Sequence, residues 1–425
     1  MLKKLFLPLC LLSGCVFRTP EPPHSSASFQ EPLCRVNIID CNGLSETITS
    51  KDRLKELAFR DFLSPQPFKK VLRIFAKNRQ GQTKSVITSY YDNGHIHQYL
   101  ECINNRANGL YKQWHPNGQQ QLIARVCAGI ADISEHAFAS WSFTGETLSW
   151  NEQGTLQARY HYKNGLLQGK AEVFYPTGTK KQVCFYDNNM LEQTFSTFHE
   201  NGILKESISY QKNKRHGPAT GYHSNGSVSW KETYHQDALV NGEYFDANGT
   251  LLSGVSDSTG LRSLFDNDRL YAQQEITQGQ PKGWTSLFSE HGDLERKFQS
   301  DNGKKTGLDF RYYPRSHAPK LCIEWKDGML HGTVKSWFPN GKQESQREFC
   351  QNLRHGSAMA WYSDGSPQLV EEYEHDKLIR GQYYKKGESS PLSFVEKGHG
   401  FVTLFDDEGV VTERIQYADG KPDIP

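Results

Sequence analysis

Aromatic residues and glycines cut this chain into units of similar length. From about Ser85 onward, fourteen units align on a turn glycine or its substitute: Gly94, Gly118, Gly154, Gly178, Gly202, Gly226, Gly249, Arg269, Gly292, Ser316, Gly341, Gly365, Gly387 and Gly409. Four residues before each stands an aromatic, from Tyr90 and Trp114 through Trp337 and Trp361 to Tyr383 and Phe405. The stretch His331–Gly365 shows the unit most plainly. His331-Gly332, Trp337-Phe338 and Asn340-Gly341 return 24 residues on as His355-Gly356, Trp361-Tyr362 and Asp364-Gly365. A fixed period in this range is the signature of a repeat array.

The spacing predicts two short strands and two tight turns per unit. Asn-Gly at 93–94, 117–118, 201–202, 225–226, 248–249 and 340–341 suits a two-residue type I′ hairpin turn, which needs positive φ at both central positions. Eleven residues after most turn glycines comes a second permissive residue, such as Asn105, Asn213 and Asn352. Nine residues before the turn glycine there is usually another glycine, as at Gly109, Gly332 and Gly356. So many glycines at such short intervals exclude helix. The expected fold is all-β: an elongated, open antiparallel meander of about fourteen hairpins, about 28 strands. Two stretches break the rhythm, near 127–144 and over 250–282, and the second reads as a bend or joint.

Residues 34–84 read as a small α+β cap over the terminal edge of the array. Arg35–Asp40 is strand-like and ends in a turn at Asn42-Gly43. Ser50 N-caps a predicted helix over Lys51–Leu63, which Pro65 and Pro67 terminate. A strand follows over Phe68–Ala76.

The first residues carry a targeting pattern. Lys3-Lys4 precede an apolar run, Leu5–Leu12, too short to span a bilayer. Leu12-Ser13-Gly14-Cys15 resembles a bacterial lipobox, which implies lipidation at Cys15 and a membrane tether. Residues 16–33 are Pro- and Ser-rich and read as a flexible linker. Placement on the cell envelope is the resulting expectation. Cys34 and Cys41 are spaced to bridge one hairpin, whereas Cys102 and Cys127 occupy matching places in successive units and are expected to be free.

Net charge is +1, so no overall field points to nucleic acid. The chain has no nucleophile elbow, P-loop, dinucleotide fingerprint or H-E-x-x-H motif. A non-enzymatic protein without cofactor or small-molecule substrate is expected. His216, His331, His355 and His399 each precede a repeat glycine. Equivalent positions in neighbouring units lie roughly 10 Å apart, too far to share a metal ion.

The pattern G-x-x-x-x-[WFY]-x-x-[ND]-G, seen at Gly217–Gly226, Gly332–Gly341 and Gly356–Gly365, resembles the MORN-repeat variant, a bacterial form often labelled antitoxin-like. The resemblance covers roughly residues 85–425. It implies a one-layer sheet of hairpins with repeat aromatics stacked along one side. It also implies a role in scaffolding, protein interaction or membrane association, with no inherent activity.

In four consecutive C-terminal units the aromatic is doubled: Tyr312-Tyr313, Trp337-Phe338, Trp361-Tyr362 and Tyr383-Tyr384. Strand neighbours face opposite sides. The first member of each pair is therefore expected in the core. Tyr313, Phe338, Tyr362 and Tyr384 are expected to line a less buried face that binds a protein partner or a second copy. Two other readings stand beside this one: an antitoxin- or immunity-like protein, and a glycan- or lipid-binding surface protein.

Overall fold

The computed structural model describes residues 31–406 and 408–423. The lipobox, Cys15 and all but the end of the linker lie outside them. The described chain forms one antiparallel sheet of 33 strands. With few exceptions each strand pairs with the one before and the one after it. The fourteen predicted hairpins are all present, beginning with Thr83–Tyr90 against Ile96–Ile103 and ending with His399–Phe405 against Val411–Ala418.

The N-terminal segment is continuous with this sheet. Strand β1 (Leu33–Asp40) lies between β2 (Ser45–Ile48) and β3 (Phe68–Lys77), and β3 pairs with β4 (Thr83–Tyr90). Helix α1 spans Lys51–Ala58 and stops short of the predicted Leu63. After it, Asp61 accepts the Leu63 N–H at 2.9 Å and the Ser64 hydroxyl at 2.6 Å, folding the chain into a turn. Ser50 sits at the N-cap, but its side chain makes no cap bond. Leu54, Leu57 and Phe62 pack onto Val36, Val71 and Tyr90 on one side of the sheet. The irregular stretch near 127–144 holds a second helix, α2 (Glu135–Ala139), whose Phe138 and neighbouring Trp141 pack on Tyr111, Leu100 and Val126. Cys34 lies near the start of β1 and Cys41 in the turn just past its end, so the two do not face each other across a hairpin. Seven residues of strand separate them by roughly 23 Å, far beyond disulfide reach. Both are free, as are Cys102 and Cys127.

The turns differ from expectation in an informative way. At Asn93-Gly94 only the glycine has positive φ, +85°. The Gly94 N–H donates to Tyr91 O and the Tyr91 N–H to His95 O, both at 2.8 Å. That is a three-residue loop, a type I turn closed by a glycine bulge. The pattern recurs at Phe338–Lys342. The asparagine serves as an acceptor: Oδ1 of Asn93 and of Asn340 takes the N–H two residues on, at 3.0 Å in each case. Type I′ turns occupy the opposite edge. There both residues have positive φ, as in Asn104-Asn105, Lys212-Asn213 and Gln351-Asn352.

The glycine nine residues before the turn, as at Gly109, Gly307, Gly332 and Gly356, lies inside a strand at a β-bulge. Gly332 and Gly356 have φ of +102° and +98°. The bulge turns the next N–H out of the ladder, and a glutamate eight residues earlier captures it. Thr333 donates to Glu324 at 2.8 Å, Ser357 to Glu348 at 2.9 Å and Leu110 to Glu101 at 2.8 Å. Gln299 does the same for Leu308 at 3.0 Å. A bulge at this position is what keeps two hairpin strands of unequal turn type in register.

Two joints interrupt the regular stack, one at the expected 250–282. In regular units each type I′ turn donates to the previous one, as Asn352 N–H does to Leu330 O at 2.9 Å. At the first joint three turns close into a ring. Ser258 N–H donates to Val240 O, Gly279 N–H to Ser258 O and Leu239 N–H to Gly279 O, at 2.8–3.0 Å. The same ring recurs through Ile379, Gly398, Gly420 and Leu378. One constant spacing carries Arg215, Glu232, Tyr234, Gly242 and Tyr244 onto Arg354, Glu371, Tyr373, Gly381 and Tyr383. In both copies the two tyrosine hydroxyls meet the glutamate and the arginine stacks on the first tyrosine. In both copies the second tyrosine lies flat over a glycine, where a Cβ would collide with its ring. The copies differ beside the glutamate. Arg262 binds Glu232 through Nε at 2.7 Å and Nη2 at 3.1 Å, whereas Val402 stands at the corresponding position beside Glu371.

Two outcomes are expected from these contacts. In Gly356→Ala the new Cβ overlaps Glu348 Oε2 at a left-handed φ, and destabilisation of about 1–3 kcal/mol is expected by urea unfolding. Arg262→Met leaves Glu232, with 1% of its side chain exposed, without its cation. A loss of about 3–5 kcal/mol is expected, and adding Glu232→Gln should recover much of it.

Candidate interaction surface

The four aromatics singled out by sequence, Tyr313, Phe338, Tyr362 and Tyr384, fall at one edge of the sheet in consecutive units. Tyr313, Phe338 and Tyr362 sit at the first position of the turn, whereas Lys385 takes that place in the last unit and the Tyr384 N–H donates to Gln368 O at 2.9 Å. From there a side chain reaches along the array to the next unit. Tyr313 OH donates to Trp337 O at 2.6 Å, and Tyr362 OH to Tyr384 O at 2.8 Å. Tyr91 and Tyr175 make the same bond to Trp114 O and Phe198 O, each at 2.8 Å. Histidine fills the role at His115 and His223, through Nε2 at 2.9 and 3.0 Å to Trp150 O and Phe245 O. Phe338 has no hydroxyl; at that step Lys342 Nζ bridges to Asp364 O at 2.6 Å. Tyr384 bonds within its own strand, to Gln382 Oε1 at 2.7 Å.

Burial departs from the expected order. Tyr362 is 2% exposed, while its neighbour Trp361, expected in the core, is half-buried. Tyr313, Phe338 and Tyr384 are half-buried as well. The reason is geometric: the turn position points along the edge toward the next unit, so its side chain is covered by protein. The aromatic at the strand end stands on a sheet with no second layer above it. Of the fourteen such aromatics, only Tyr90, Tyr383 and Phe405 are buried. Among the described residues no two from successive units touch ring to ring, so they form spaced platforms rather than a continuous stack.

A cleft of about 450 Å³ opens at the second joint, with Glu371 among the residues that border it. Val370, Glu372, Arg380, Gln382, Phe394 and Glu396 line it. Arg380 lies 3.8 Å from Glu372 and 3.7 Å from Glu396. Both pairs are exposed and contribute little to stability, which leaves the three groups available to a partner. Phe394 is 66% exposed and Leu392 60%. No sequence reading singled out Phe394. At the first joint Gly254 stands in its place, so aligning the two joints with each other would have marked it.

Glu371 accepts the hydroxyls of Tyr373 at 3.2 Å and Tyr383 at 2.8 Å, with Leu369 on its own strand and Ala358 opposite it on the preceding one. Burial pushes its carboxyl above the usual glutamate range, against the pull of Tyr383, Tyr373, Arg354 and Arg347. The other buried carboxylates each hold a cation directly. Asp309 is bound by Arg296 at 2.5 Å and Lys305 at 3.1 Å, and Glu172 by Lys170 at 2.8 Å. Those contacts hold Asp309 and Glu172 below their ordinary values, against burial. No cluster of three or more His, Cys, Asp or Glu suited to a metal ion occurs among the described residues.

The MORN repeat variant family matches residues 167–188, 194–212 and 330–351. The chain therefore carries MORN-variant repeats in its middle and C-terminal parts. No curated protein matches it. Among solved structures, the Photorhabdus luminescens Tc holotoxin pore aligns over 91% of this chain and 24% of its own, at 10% identity and a TM-score of 0.15. A TcdB2–TccC3 crystal structure aligns over 89% of this chain and 24% of its own, at 12% identity and a TM-score of 0.13. This chain spans about a quarter of the length of those chains, and scores this low carry no argument.

Glu371 yields a prediction with a definite sign. Its folded pKa is raised above the unfolded value, so the native state holds the proton to higher pH. Stability then falls as pH rises from the ordinary glutamate value toward the folded one. Glu371→Gln should match the wild type in acid and become more stable than it toward neutral pH. Urea midpoints measured across that range test this; a constant difference at every pH would contradict it.

Proposed function

We propose that this protein is a non-enzymatic interaction scaffold held at the cell envelope by a lipid on Cys15. The observation that carries the reading is the surface at the second joint. A cleft of about 450 Å³ stands beside Phe394 and Leu392, on a sheet stitched at both turn edges. Rigid scaffolds that leave aromatic and apolar anchors beside polar groups suit protein partners. Tyr313, Phe338 and Tyr384, half-buried at the turn edge of the preceding units, extend the proposed contact region, with Tyr362 as the buried staple between them. The stretch Leu12–Cys15, preceded by Lys3-Lys4 and an apolar run, supports the tether.

Cross-linking on intact cells, followed by identification of co-purifying proteins, tests the scaffold role. Phe394→Ser with Leu392→Ser should remove the partner at unchanged melting temperature, since both side chains are exposed. Recovery of the same partners at wild-type yield would contradict the assignment. Cys15→Ser should release the protein from the membrane fraction, and continued membrane association would contradict the lipid tether.

A further inference from the structure

Histidines of neighbouring repeats were expected to lie too far apart to cooperate. The structure supplies partners of a different kind. His216 meets His235 on the next strand, in the hairpin that sets Gly217 opposite Tyr234. Their ring centroids are 5.0 Å apart and the planes are tilted by 54°. Nδ1 of His216 is buried and has no hydrogen-bond partner. At the second joint His355 meets His375 at 4.7 Å and 60°. His355 precedes Gly356 as His216 precedes Gly217, but the second members differ in place: His235 ends its strand, whereas His375 is the first turn residue, one position further on, with φ of +47°. His235, His355 and His375 are exposed.

The separations suit a shared ion. With metal–nitrogen bonds of about 2.1 Å and angles of about 90–109° at the ion, two bound imidazoles place their ring centroids roughly 4.5–5.2 Å apart. Both pairs fall in that interval. Arg215 and Arg354 come just before these histidines, and strand neighbours point to opposite faces. The two guanidinium groups stack on Tyr234 and Tyr373, at 4.1 and 4.2 Å, away from the imidazoles.

We propose that His216 with His235, and separately His355 with His375, each bind one divalent transition-metal ion through two imidazoles. Imidazole nitrogen favours zinc, copper and nickel over calcium and magnesium. Among the described residues no third His, Cys, Asp or Glu completes either set, so water fills the remaining positions. Such a site is open, exchangeable and able to accept one further ligand from outside the chain.

Calorimetric titration of Zn²⁺ into the full chain tests this. Saturable uptake of two ions per chain is expected, with a rise in melting temperature, because an ion that binds only the folded state stabilises it. His235→Ala should remove one ion, His375→Ala the other, and the double variant both, each with an unchanged circular dichroism spectrum. His399→Ala should keep both ions, since His399 faces Asp419 at 3.3 Å. Absence of saturable uptake by the wild type, or uptake that survives in His235→Ala/His375→Ala, would overturn the proposal.

Discussion

A sheet one layer thick gives each side chain cover on one side only, and that constraint shapes the rest of this structure. No core between layers can supply the buried area a globular domain relies on. Strand-end aromatics such as Trp337 and Trp361 remain half-buried even though the repeat places them with complete regularity. The sheet compensates along its edges and within its strands. One edge is tied by tyrosine or histidine side chains reaching the next unit's carbonyl, as Tyr313 reaches Trp337 O. The other edge is tied by turn asparagines: Asn352 Oδ1 accepts the Leu330 N–H at 2.8 Å, and Asn213 Oδ1 the Leu191 N–H at 2.6 Å. Within the strands, Glu324 and Glu348 satisfy the N–H that each glycine bulge turns out of the ladder. Each of these contacts adds a modest amount alone, about 0.5–1.5 kcal/mol, but contacts of one kind or another recur along the array.

Much of this architecture is legible in the sequence because periodic spacing maps directly onto strands and turns. The turn glycines and the aromatics before them locate all fourteen hairpins. Chemistry that depends on pairs distant in register is harder to read. Asn-Gly permits more than one hairpin turn, so the type I loop with its glycine bulge is not separable from type I′ by composition. The bulge glycine is visible, but its purpose lies in a glutamate eight residues earlier that becomes meaningful only once the strands pair. Cys34 and Cys41 look like a hairpin bridge until β1 is seen to run unbroken between them. The candidate surface was the least legible. Turn position and strand-end position differ by one residue, yet one points along the edge and the other stands on the open face. Tyr362 is therefore covered where Trp361 is not.

The two joints concentrate what is unusual in the chain. Each closes three turns into a ring, buries a glutamate beneath two tyrosines and brings two histidines together. The first joint neutralises its glutamate with Arg262. The second has Val402 there, exposes Phe394 and opens a cleft beside Arg380. The same backbone thus serves once as a closed structural node and once as an open, accessible cleft. The interaction surface rests on this divergence, whereas the proposed metal pairs rest on what the two joints share.

The central claim is that side-chain stitches between units, more than aromatic stacking, hold the single-layer sheet together. Native-state hydrogen exchange on Asn352→Ala measures this most directly, because the variant removes one stitch and no aromatic. Faster exchange is predicted at the Leu330 amide and through the two hairpins that flank the turn, with the N-terminal hairpins unchanged. Unaltered protection across residues 319–374 would contradict the account.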